Sequence, residues 1–227
     1  MKEPKSKVWI KTIGVFCAPT TQDAAGALMR QAVTTLRDSA EIAFEDEEDE
    51  AIFLRDDKSA PEWSDQPIFL RGNSSKYSIL LGHFWKSGEN YHYFVTSPES
   101  AIDPSELSAE WTMLIDRSRQ LVSALRPDAA FSWARSGDAG SPFDFRAVCS
   151  HERPLALAPW TYYDSHMLDA QAQDALRALG PDATETFGRG LVVQPARLPG
   201  AAPATDLLVR LEATGGVIYR DPLLVTP

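Results

Sequence analysis

The chain predicts an α+β fold, a mainly antiparallel sheet with about three covering helices in a single domain over residues 1–227, and three features carry that expectation. First, Leu107, Trp111, Leu114, Ile115, Ser118, Val122 and Leu125 recur at three- and four-residue steps, which places them on one helix face that must be buried. Second, Tyr77 to Trp85 and Tyr91 to Thr96 are rich in aromatic and aliphatic residues, and the short stretch Lys86 to Asn90 between them includes a glycine, the pattern of an antiparallel hairpin. Third, further helical stripes near 22–44 and 167–179 are set among short strand-like runs.

Taken in order, Val8 to Ala18 is an apolar run that reads as a buried first strand ending near Cys17. Lys2, Lys5 and Lys7 ahead of it resemble the start of a signal peptide, but Lys11 interrupts the run and no small-x-small cleavage pattern follows cleanly. No run approaches the ~18 apolar residues of a membrane span, so a cytoplasmic location without membrane contact is expected. Pro19, Thr20 and Thr21 start a helix whose stripe is Ala25, Leu28, Met29, Ala32, Val33, Leu36, Ala40 and Ala43. The acidic residues Glu45, Asp46, Glu47, Glu48, Asp49 and Glu50 would oppose the macrodipole at its C-terminus, so the helix should end by Phe44 and the run should form a solvated turn.

Ala51 to Leu54 reads as a short strand, Arg55 to Pro67 as a long loop carrying Trp63, and Ile68 to Leu70 as a brief strand before turn residues Gly72, Asn73 and Ser74. Asp103, Pro104 and Glu106 give the central helix a capping box, covering residues 104–125, and Arg126 and Pro127 stop it before a strand from Ala129 to Trp133. The best internal boundary is the loop 135–142. Phe143 to Ser150 and Pro159 to Tyr163 read as extended. Asp164 or Ser165 leads into a helix with Ala172, Ala175, Leu176 and Leu179 on one face, closed by Gly180 and Pro181. Thr184 to Gln194 is strand-like, Pro195 to Ala204 is a surface loop, and Thr205 to Ala213 reads as a short helix or a strand.

With 227 residues and 44% hydrophobic content, the chain can bury a core without staples. Its 22 Lys and Arg stand against 32 Asp and Glu, and the net charge of −10 repels phosphate backbones and favours basic partners. Nucleic acid is thereby disfavoured as a direct ligand. Cys17 and Cys149 form no CxxC pair, so neither a zinc site nor a disulfide framework is signalled, and two buried thiols are expected.

No motif announces catalysis: there is no G-x-S-x-G elbow, P-loop, dinucleotide fingerprint or H-E-x-x-H, the His151–Glu152 pair lacking a second histidine at Leu155. His83 and His92, on the two strands of the expected hairpin, permit a metal site in principle. No Cys or carboxylate stands beside them at ligand spacing, so they read as ordinary sheet histidines, with no cofactor and no metal expected. Asp164, Ser165 and His166 contain the three triad residue types, but consecutive residues cannot align as nucleophile, base and orienter. A helix cap explains Asp164 and Ser165 better. Gly188, Arg189 and Gly190 form a lone G-x-G followed by a strand, and read as a bulge or bend. Trp160, Tyr162 and Tyr163 read as core aromatics.

LVSALRPDAAFSW (Leu121 to Trp133), APWTYYDS (Ala158 to Ser165) and GRGLVVQ (Gly188 to Gln194) follow one another in an order similar to that of the immunity protein 52 family. The resemblance covers most of the chain as a pattern of segments. It implies a protein encoded beside a polymorphic toxin, in several members one delivered by type VI secretion, which neutralises that toxin by binding it and carries no catalytic residues. Toxins associated with the family include restriction-endonuclease-like DNases, which suit an acidic inhibitor.

The expected partner surface is therefore acidic: Glu45, Asp46, Glu47, Glu48, Asp49 and Glu50, with Asp56 and Asp57 just beyond, and Trp63 as a candidate anchor. Each has a plainer reading, a solvated loop for the carboxylates and local packing for Trp63. Two alternatives belong to other classes. A small hydrolase or metal-dependent enzyme would bring His83, His92, Asp56 and Asp57 together in a pocket with shifted pKa values, and a structural or adaptor protein would present a large self-complementary apolar patch.

Overall fold

β1 (Val8–Phe16) is the strand about which the sheet is assembled. The computed structural model describes residues 7–17, 27, 30–31, 33–36, 42–44, 47, 50, 68–72, 76–86, 89–136, 148–149, 156–195 and 217–218. The other strands are β2 (Ile42–Phe44), β3 (Ile68–Gly72), β4 (Tyr77–Lys86), β5 (Glu89–Pro98), β6 (Ala129–Ser136), β7 (Ala156–Leu157), β8 (Trp160–Asp164), β9 (Thr184–Phe187), β10 (Gly190–Val193) and β11 (Val217–Ile218). Nine of them form one sheet in the order β2-β3-β4-β5-β1-β6-β8-β10-β9, and every neighbouring pair in it is antiparallel. β7 and β11 make a separate parallel pair. The expected α+β class with a mainly antiparallel sheet is borne out.

β1 is central because both of its faces are apolar. Val8, Ile10 and Phe16 point to one layer of core, and Ile13 and Val15 point to the other, so the strand from Thr12 to Phe16 has no side left for water. On the first face lies α1 (Leu107–Leu125), whose Trp111, Leu114, Ile115, Leu121, Val122 and Leu125 join Ile79, Leu81 and Phe94 of the sheet and Val33 and Leu36 of an earlier helical stretch. On the second face lies α2 (Ala170–Arg177), which places Ala172 and Leu176 against Phe131, Trp133, Leu191 and Val193.

Ser118 sits on the apolar stripe of α1 because the sheet below it is polar at that point. Its hydroxyl donates to the Leu114 carbonyl at 2.6 Å and lies 2.7 Å from Thr12 Oγ1, which in turn lies 2.7 Å from Ser132 Oγ. With Ser118 committed as donor, the chain runs in one direction: Ser132 to Thr12, Thr12 to Ser118, Ser118 to Leu114. Three buried hydroxyls are thus satisfied across a helix and two strands, and each polarises the next. Tyr77 ties β4 to the same helix by donating to the backbone carbonyl and the carboxylate of Glu110, both at 2.9 Å.

The start of α1 differs from the expected capping box. Asp103 accepts from the Ser105 N–H at 2.9 Å and from the Ser105 hydroxyl at 2.6 Å, closing a turn through Pro104. The regular helix begins three residues later than expected, at Leu107, with Glu106 as a cap residue that makes no side-chain cap bond. A short carboxylate finds its donors locally before it can reach the helix. The stop is as expected: Arg126 adopts φ 53° and its N–H bonds to the Val122 carbonyl, and Pro127 cannot continue the turn.

Other boundaries also move. Ile42–Phe44 is a strand paired with β3 rather than the end of a helix over 22–44, although the described residues at 27, 30–31 and 33–36 are helical. Glu47 and Glu50 are helical rather than a turn: the acidic run follows a strand, so the repulsion from a helix C-terminus does not arise, and Glu is a good helix former. Val148 and Cys149 are helical where a strand was expected. Asp164 caps only a 3-10 turn, Ser165–Met167, and Asp169 caps α2 by accepting from the Ala172 N–H at 2.7 Å. The strand expected over Thr184 to Gln194 is a hairpin whose turn has Gly188 at φ 57° with Arg189 following, the type II′ pattern and not a bulge. Arg135 and Ser136, assigned to a boundary loop, belong to β6. The features expected at 51–67, 137–147 and 196–213 lie outside the described residues.

Candidate functional site

Strand register collects the main polar cluster at one end of the sheet. Val15 pairs with Ala129, and Ala129 pairs with Tyr163, so Cys17, Asp128 and Asp164 emerge side by side just past that row. Backbone bonds fix the alignment: the Asp128 N–H donates to Val15 and the Asp164 N–H donates to Asp128, each at 2.9 Å. The 3-10 turn after β8 then swings His166 back over both carboxylates. Its Nε2 lies 3.0 Å from Asp128 Oδ1 and its Nδ1 lies 2.9 Å from Asp164 Oδ1.

Two further groups close the cluster. Asp128 Oδ2 accepts the Cys17 N–H at 2.6 Å. Arg189, from the β9–β10 turn, places a guanidinium nitrogen 2.7 Å from Asp164 Oδ2, an ion pair by distance without hydrogen-bond alignment. Ser165 locks that turn from below, with both its N–H and its hydroxyl donating to the Arg189 carbonyl. Asp164 is buried, while the side chains of His166 and Arg189 are 54% and 59% exposed. The cluster therefore sets the exposed His166 and Arg189 side chains over one buried carboxylate, Asp164, and one partly buried one, Asp128.

Its electrostatics follow from that layering. Burial alone would raise the Asp164 carboxyl, but the His166 ring and backbone N–H together with the Arg189 charge outweigh burial and hold it below the usual carboxylate range. Beside it, burial and the Asp164 charge push the Tyr162 phenol up to about 12. The thiol of Cys17 is pushed far above its ordinary range by its hydrogen bond with the Cys149 thiol, by burial and by the Asp128 charge.

The geometry also decides the triad question. Both ring nitrogens of His166 face carboxylates and the Ser165 hydroxyl is committed to a carbonyl, so Ser165 has no base to activate it. Asp164, Ser165 and His166 are brought together, but as a structural clasp. Among the described residues, no group of three or more His, Cys, Asp or Glu is arranged to hold a metal. His83 and His92 stand directly opposite each other on β4 and β5, and His92 is buried.

Of the expected partner residues, Glu47 is exposed and Glu50 is half-buried, both in helical conformation. Glu45, Asp46, Glu48, Asp49, Asp56, Asp57 and Trp63 lie outside the described residues. The acidic run follows β2, an edge strand, whereas the His166 cluster is built on β1, β6, β8 and the β9–β10 turn. Sequence reasoning reached Asp164 and His166, named Arg189 only within a G-x-G bend, and missed Asp128, whose one signal is its position just before a strand.

No family model matches the chain, and no curated protein matches it. Among solved structures, it is similar to the Pseudomonas aeruginosa T6SS protein PA0821, with a TM-score of 0.51 and 14% sequence identity over 92% of this chain and 72% of that one. At that identity the likeness is one of fold.

Proposed function

We propose that this protein is a non-enzymatic immunity protein that binds and neutralises a cognate toxin, a basic nuclease delivered by a type VI secretion system. The observation that carries the reading is the fold shared over nearly the whole chain with a T6SS protein. The net charge of −10 supports a basic partner. Such a surface steers an oppositely charged protein to association rates of about 10⁸ M⁻¹s⁻¹ or more at low salt, and lets carboxylates stand where a nuclease groove holds phosphates. The engagement of His166 and Ser165 in structural bonds is consistent with a role in binding rather than catalysis.

The test uses the toxin encoded beside this gene. Glu45, Asp46, Glu47, Glu48, Asp49 and Glu50 are changed together to Gln or Asn, and association is followed at two salt concentrations. The expected result is slower association with a flatter salt dependence at an unchanged melting temperature, because rim charges act mainly on the encounter. Unchanged kinetics would remove the acidic run from the interface. A wild-type protein that neither binds nor protects against that toxin would end the immunity reading.

A further inference from the structure

Residues directly opposite one another on β4, β5, β1 and β6 form a row beneath α1: Ile79, Thr96, Thr12 and Ser132. Thr12 and Ser132 belong to the hydroxyl chain that ends on Ser118 and the Leu114 carbonyl. Thr96 does not. Its hydroxyl is fully buried and, among the described residues, has no hydrogen-bond partner. The backbone beside it is already engaged, because β5 is laddered on both sides, to β4 and to β1. A buried hydroxyl left in that state is costly, and folded proteins satisfy such groups with a protein partner or with an ordered water.

Thr12 Oγ1 stands opposite with a lone pair to spare: it accepts from Ser132, donates its one proton to Ser118, and can accept once more. The two threonine hydroxyls are not bonded to each other. Side chains directly opposite on neighbouring strands start from Cβ atoms about 4.5–5.5 Å apart. Two oxygens at roughly that separation are spanned by one water making bonds of about 2.8 Å. We propose that Thr96 and Thr12 hold a structural water molecule in the first core layer beneath α1. The water accepts the Thr96 proton and donates one of its own to the free lone pair of Thr12. Thr96 thereby becomes the head of the buried chain, and the hydrogen bonding that joins β1, β6 and α1 extends to β5.

Relaxation dispersion of the water oxygen, recorded on the full chain, counts long-lived internal waters and is blind to proton exchange by the hydroxyls. Wild type should show the amplitude of one such water more than Thr96→Val, and Thr96→Ser, which keeps the hydroxyl, should match wild type. Urea unfolding gives an independent sign. A hydrated Thr96 makes Thr96→Val unfold at a lower midpoint, whereas an unpartnered one makes it unfold at a higher midpoint, because a methyl of the same shape has nothing to satisfy. Should Thr96→Val fail to fold, a crystal structure of the wild-type protein decides, with density for an oxygen within hydrogen-bond distance of both Thr96 Oγ1 and Thr12 Oγ1. Equal dispersion amplitudes in wild type and Thr96→Val, a raised midpoint, or a direct bond between Thr96 and Thr12 in that crystal structure would each overturn the proposal.

Discussion

Replacing Thr12 by Val removes the middle of the buried hydroxyl chain while keeping the side-chain shape. Thr12 Oγ1 makes two contacts at 2.7 Å, one to Ser118 and one to Ser132, and all three residues are fully buried. Each lost bond costs about 1 kcal/mol, and the orphaned Ser132 hydroxyl adds roughly 1–3 kcal/mol of unmet desolvation. The extra buried methyl returns about 0.8 kcal/mol. The net cost is about 2–4 kcal/mol, which lowers the melting temperature by roughly 4–16 °C for a chain of this size. Urea unfolding followed by circular dichroism reads it as a lower midpoint at unchanged slope. The sharper test is the concerted change Thr12→Val, Ser118→Ala and Ser132→Ala. With no hydroxyl left to satisfy, this triple variant should be at least about 1 kcal/mol more stable than Thr12→Val alone. A Thr12→Val protein within about 0.5 kcal/mol of wild type, or a triple variant no better than the single one, would show that the hydroxyls do not act as one chain.

Trp111 is 1% exposed at the centre of the first core layer, so Trp111→Ala should cost about 3–5 kcal/mol; melting like wild type would refute the packing. At Gly14 an added Cβ would run into the ring of Phe94, itself fully buried, and Gly14→Ala should lose about 1–3 kcal/mol to overpacking, which the same urea titration measures. The depressed Asp164 carboxyl contributes stability that is fully present above its unfolded pKa of about 3.9 and is lost as pH falls through the lower folded value. His166→Ala should therefore flatten the acid limb of the stability profile below pH 4, and an unchanged limb would count against the clasp.

The parts of the fold legible in the sequence are those set by local periodicity. The stripe of α1 and the alternation of β4 and β5 each announce themselves within about 20 residues, and the structure reproduces them. Pairing decided the rest. Ile42–Phe44 continues a helical stripe on paper, yet β3 offers it a ladder, and tertiary hydrogen bonding overrides the local pattern. At the site, Asp164 caps a 3-10 turn and not the helix it was expected to open, and the argument against a consecutive triad holds. Its second partnership was not legible, because Asp128 reaches His166 only through the register of β6 with β8.

β1, made before every other described strand, stands in the middle of the sheet. Thr12 reaches its partner Ser132 across 120 positions, and at about 5–20 residues per second synthesis takes roughly 6–24 s to deliver β6 after β1. Until β5 emerges to pair with it, VWIKTIGVF is an unpaired, apolar, β-prone segment with Lys11 as its single charge. Such a segment is a template for pairing with another chain. Lys11 lies 5.5 Å from the Trp9 ring and is half-buried in the finished protein, so its second role precedes the fold, as a gatekeeper that discourages neighbouring nascent chains from zipping together.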